Sequence, residues 1–121
     1  MIAAGILVFG AIGAIARYVI DGTVTERVKD HLPYGTLLVN VLGSFILGFV
    51  TGLVLYHDDS ATIRTLVGTG FCGAFTTWST LSWETLRLVE EGDTGTAAVT
   101  VLGGIATSML AAAVGLALAT L

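Results

Sequence analysis

Apolar residues fill four long stretches of this chain, and polar residues collect in three short links between them. The stretches run roughly over residues 2–20, 35–56, 61–89 and 96–121. Each is long enough to cross the ~30 Å hydrocarbon core of a bilayer at 1.5 Å per helical residue. The pattern predicts an all-α integral membrane protein, residues 1–121 forming one domain of four transmembrane helices. Met1 to Tyr18 lacks the basic start of a cleavable signal, so it reads as the first span. The first link holds Glu26, Arg27, Lys29, Asp30 and His31, with room for a short amphipathic helix. Pro33 suits a helix start just after it. The second link holds His57, Asp58 and Asp59, and the third is the acidic run from Glu90 to Asp93. Both histidines sit in polar links, and His31 reads most simply as solvated.

The third stretch breaks the apolar pattern. At about 29 residues it would measure about 43 Å as a straight helix, too long for the core unless tilted or broken. Its centre reads GTGFCGAFTTWSTLSWE from Gly68 to Glu84. Residues 61–67 and 81–89 read as helix on either side. The glycines and hydroxyls between them predict a span that breaks at Gly73 to Thr77. Freed backbone groups at membrane depth are tolerated only where protein buries them or where they line a cavity for water or ions.

Composition agrees. Of 121 residues, 55% are hydrophobic and 12% charged, about half the charge of a soluble domain. The net charge of −4 comes mainly from the links, and no basic cluster offers a nucleic-acid site. Cys72, the one cysteine, reads as a small buried thiol. The cations divide weakly. Four of the five (Arg17, Arg27, Lys29 and Arg87) fall on the side of the first link, which puts both termini outside. Leaving out Arg17 and Arg87 as functional candidates removes most of the bias, so the chain suits insertion in either orientation.

Small residues mark close-packing faces: Gly10, Gly13 and Ala14 in the first span, the ladder Ser44, Gly48 and Gly52 in the second, and Gly103, Gly104, Ala111, Ala112 and Gly115 in the fourth. Polar residues within spans carry two readings each. Arg17, beside Tyr18, is a snorkelling interfacial cation or a functional group facing protein. Asn40, four residues after Thr36, is interhelical glue or a donor lining a polar path. The hydroxyls of Thr76, Thr77, Ser79, Thr80, Ser82 and Thr85 satisfy a broken backbone or serve an ion, with Glu84 at the mouth. The carbonyls of the break suit a monovalent cation, while hydroxyls, amides and the edge of Trp78 suit a small anion. Enzyme readings fail. No nucleophile–base pair, metal-ligand spacing or phosphate loop is present in the sequence.

Three segments carry a resemblance: GAIGAIARY at 10–18, GTLLVNVLGSFILG at 35–48 and GFCGAFTTWST at 70–80. They resemble the signature segments of the CrcB/Fluc fluoride-channel family, the second and third more specifically than the first. The resemblance extends to the length and order of all four spans. It implies a dual-topology dimer of two antiparallel subunits in the cell membrane, surrounded by lipid, that exports fluoride passively through two pores. It also implies a structural sodium ion at the dimer centre, held by the carbonyls of Gly73 and Thr76. It places the pore amide at Asn40 with Thr36 near it, and the family arginine at Arg17. Thr77, Thr80 and Ser108 are the further hydroxyls of the fluoride path, and Glu84 is an additional functional candidate. The glycine ladder and weak charge bias fit an antiparallel dimer.

The sequence departs from the family pattern where two stacked pore phenylalanines are usual. Trp78 and Leu81 stand there, and Leu81 has no aromatic edge. Ala74 replaces a second glycine, and Thr100 and Gly104 replace a tyrosine and a serine early in the fourth span. Two alternatives follow. One is a non-conducting or degenerate partner subunit of a heterodimeric channel. The other is a proton-coupled transporter like the small multidrug-resistance proteins, which are also four-span antiparallel dimers. That reading is weaker, because the first span lacks their essential glutamate and only Glu84 offers one.

Overall fold

A computed structural model describes residues 1–28, 32–58 and 60–121. Lys29, Asp30, His31 and Asp59 lie outside the described residues, and with them the reading of His31. The elements are α1 (Ile2–Arg27), α2 (Tyr34–His57), α3 (Ala61–Ile63), a π-helical segment (Arg64–Cys72), α4 (Gly73–Phe75), α5 (Ser79–Glu90) and α6 (Thr94–Leu118). The helices α1, α2 and α6 are each long and apolar enough to cross a membrane. Between α2 and α6 the chain forms two arms, residues 61–75 and 79–90, joined by the non-helical Thr76 to Trp78.

Two boundaries and the winding of one arm differ from the sequence reading. The first helix continues to Arg27 instead of ending near residue 20, taking Gly22 into its interior, and no proline interrupts the link before Pro33. The break lies at Thr76 to Trp78, and Gly73 is still helical. Glycine permits a break without forcing one, and the helix opens where Thr77 pairs with Asn40 of α2. The arm before the break is wound as a π-helix, with the Gly73 N–H reaching back to Gly68 O. Such winding is rare and occurs frequently at functional sites.

Two backbone-to-backbone seams organise the packing. On α1, Gly13 rests against the Phe71 carbonyl and Gly10 lies 3.6 Å from Gly70 O, measured from where a Cβ would stand. On α2, Gly48 rests on the Ala112 backbone and Gly52 faces Leu116 and Ala119, while Gly115 of α6 meets Phe45 O and Phe49 N in return. A side chain at any of these close positions would drive the helices apart, so the glycines set the interaxial distance. The ladder on α2 is therefore used inside the chain, against α6, and gives no separate support for a dimer.

The ends are tied locally. Asp93 Oδ1 accepts from Thr96 N–H (3.2 Å) and caps α6, and Ser60 Oγ accepts from Thr62 N–H (3.2 Å). Asp58 closes α2 in the left-handed region (φ 56°). The His57 ring bonds the Ala119 carbonyl through Nε2 (2.5 Å), joining the ends of α2 and α6.

Candidate functional site

The site begins with a helix that fails to continue. Thr76 is extended (φ −82°, ψ 161°), and its own N–H and hydroxyl both return to Cys72 O (2.9 and 2.8 Å). The next N–H, that of Thr77, would reach Gly73 O in a continuing helix. Instead it donates to Asn40 Oδ1 (2.7 Å), and Asn40 Nδ2 donates to Thr77 O (2.8 Å). One amide side chain thus holds both polar groups of one residue. Gly43, a turn further along α2, lies against the Thr76 side chain and lets α2 come this close. The second arm starts with Thr77 Oγ1 accepting from Thr80 N–H (3.1 Å), an N–H that a continuing helix would give to Thr76 O.

The two carbonyls assigned by resemblance to sodium, Gly73 and Thr76, are therefore the two whose helical donors have been diverted to side chains. Both residues line a groove of about 370 Å³. Neutral carbonyl oxygens suit a monovalent cation. One chain supplies two of them, fewer than such an ion coordinates.

Asn40, Thr77, Trp78, Leu81 and Ser108 line the same groove, with Ser44 at its side. Trp78 is 62% exposed, whereas Leu81 is 2% exposed and forms part of the groove's wall. A second, smaller cavity of about 190 Å³ lies on the other side of Thr77. Arg17, Asp21, Thr36 and Thr80 line it. Thr77 borders both spaces. Thr36 is buried, and its hydroxyl donates to Glu84 Oε1 (2.6 Å), bringing the middle of α5 to the start of α2. The expected residues thus fall into two groups around Thr77. Thr100 stands apart, buried and bonded to Thr96 O of its own helix (2.8 Å).

Asp21 is the residue that sequence reasoning missed. It lies just past the first apolar stretch, yet α1 carries it into the smaller cavity and against Gly35. The available signal was its spacing, one helical turn after Arg17. Among the described residues no buried side-chain polar atom lacks a hydrogen-bond partner, and no cluster of three metal-ligating side chains occurs.

A family profile described as "CrcB-like protein, Camphor Resistance (CrcB)" matches residues 4–116. A protein of Syntrophotalea carbinolica named "Fluoride-specific ion channel FluC" is 42% identical over 115 residues, covering 94% of each chain. "Fluoride-specific ion channel FluC 1" of Leifsonia xyli is 39% identical, over 96% of this chain and 85% of its own. A FluC of Pyrococcus furiosus is 40% identical, over 94% of this chain and 92% of its own. With three spanning helices, a broken arm between them and this match along nearly its whole length, the chain is a multi-pass membrane protein that belongs to the CrcB-like family.

Proposed function

We propose that this protein is a fluoride-selective channel that lets cytoplasmic fluoride leave passively down its gradient and so relieves fluoride toxicity. The observation that carries the reading is the break at Thr76 to Trp78. It sits halfway between Ala61 and Glu90, with Asn40, Thr77, Trp78 and Ser108 around one groove and Thr36, Thr80, Arg17 and Glu84 on its other side. On this reading residues 61–90 make the remaining membrane crossing. A small, strongly hydrated anion needs hydrogen-bond donors to replace its water. The second Asn40 N–H, the threonine and serine hydroxyls and the partly positive edge of Trp78 supply them. The larger groove has no cationic side chain in its lining, so it solvates the ion without trapping it.

The channel is an antiparallel dimer on the same reading. Gly73, Trp78 and Ser79 are exposed on the single chain, and broken backbone at membrane depth is not left facing lipid. A second copy in the opposite orientation would cover it and complete a sodium site from Gly73 and Thr76 carbonyls. Leu81 favours a second reading in which the partner is a different, homologous subunit. As a buried aliphatic wall it offers an anion no aromatic edge.

Expression in a fluoride-sensitive bacterium deleted for its own fluoride channels tests the function. Restored growth in millimolar fluoride supports a self-sufficient homodimer. No rescue by protein that reaches the membrane folded refutes it, and rescue only on co-expression with a homologous subunit establishes the heterodimer.

A further inference from the structure

The N–H groups that a continuing helix would give to the Gly73 and Thr76 carbonyls go instead to two side chains, Asn40 and Thr77. Asn40 Oδ1 takes the Thr77 N–H (2.7 Å) and Thr77 Oγ1 takes the Thr80 N–H (3.1 Å). Gly73 does not open the chain itself, since it is helical (φ −60°, ψ −37°). A carbonyl that already accepts a short N–H bond is a poorer cation ligand, because the donor and the ion compete for the same lone pairs. The Thr77 hydroxyl is held for this task, with its proton directed to Thr80 Oγ1 (3.3 Å). Asn40 is fixed from both ends of its amide and also lines the larger groove.

We infer that Asn40 and Thr77 are positioning residues for the central cation: by diverting two backbone N–H groups they create its carbonyl ligands. Through Asn40 the cation site and the anion groove share one side chain. The inference rests on the sodium reading above.

The test is a sodium titration of the purified protein in detergent, at constant ionic strength with choline as replacement, read as the thermal unfolding midpoint. A parent protein that responds equally to sodium and choline overturns the sodium reading and this inference with it. Where the parent responds to sodium, Thr77→Val should raise the sodium concentration for half-maximal stabilisation about five- to ten-fold, the equivalent of one competing hydrogen bond. Thr77→Ser, which restores the acceptor, should return it to within about two-fold of the parent. Gly103→Ala, whose added Cβ meets open space away from the break, should leave it unchanged.

Asn40 gives a second, independent arm. Asn40→Leu removes the acceptor and should weaken the sodium response. Asn40→Asp keeps an oxygen for the Thr77 N–H, so its sodium response should persist while fluoride flux is lost to the new negative charge. Parental sodium midpoints in both Thr77→Val and Asn40→Leu overturn the inference with the sodium reading intact. Should Thr77→Val fail to fold, the contrast between Asn40→Leu and Asn40→Asp decides alone, and equal midpoints in those two overturn it.

Discussion

Asn40 holds Thr77 as a neighbouring strand would, giving one hydrogen bond to its carbonyl (2.8 Å) and taking one from its N–H (2.7 Å). The helix opens where this pairing replaces the internal ladder. Asn40→Ala should therefore cost about 2–4 kcal/mol of stability, since it leaves a partly buried donor and acceptor without partners. Chemical unfolding in detergent measures it. A loss below about 0.5 kcal/mol would mean that water replaces the amide without penalty.

Trp78 lines the groove, whereas Trp83 lies under the Arg87 guanidinium (5.0 Å to the ring centre) on an exposed face of α5. Trp78→Ala should abolish fluoride flux, and Trp83→Ala should leave it within about two-fold, because an exposed cation–π contact contributes only about 0.5–1 kcal/mol. Flux assays on the two reconstituted variants separate a role of the Trp78 edge from a general need for aromatic residues on this arm.

The bond from Thr36 to Glu84 is short (2.6 Å), and its donor is buried. Thr36→Val keeps the shape and removes the donor. It should slow fluoride flux about ten-fold, equivalent to about 1.4 kcal/mol on the barrier, and Thr36→Ser should restore most of the rate. Equal rates in Thr36→Val and the parent would place this contact outside the path.

Glycines in α6 should divide sharply by location. A Cβ at Gly115 would run into Phe45 O and Phe49 N, and one at Gly103 would meet open space. Gly115→Ala should destabilise the protein by about 1–3 kcal/mol, the usual cost of overpacking. Gly103→Ala should be neutral or slightly stabilising through its better helix propensity. Thermal unfolding of the two variants checks the direction of each effect.

The long apolar stretches made the helices legible in the sequence, and the glycines made the interruption of the third stretch legible. The position of the break was not, since it depends on Asn40, which lies 37 residues from Thr77. No local pattern encodes a contact of that range. The small-residue ladder was visible as a packing face but not its partner, which is α6 of the same chain. The site residues were readable as polar groups inside apolar spans. Their division into two cavities that meet at Thr77 follows only from the folded arrangement. Asp21 escaped notice because charge in a link looks like solvation until the helix is seen to continue through it.

The central claim, a self-sufficient fluoride path at the broken helix, is tested most directly by anion efflux from liposomes that contain only this purified chain. A fluoride electrode reads the release, beside an identical chloride-loaded preparation. Rapid fluoride efflux, no measurable chloride efflux and loss of the fluoride signal in Asn40→Asp are expected. Folded, reconstituted protein that releases neither anion, or both at similar rates, would contradict the claim.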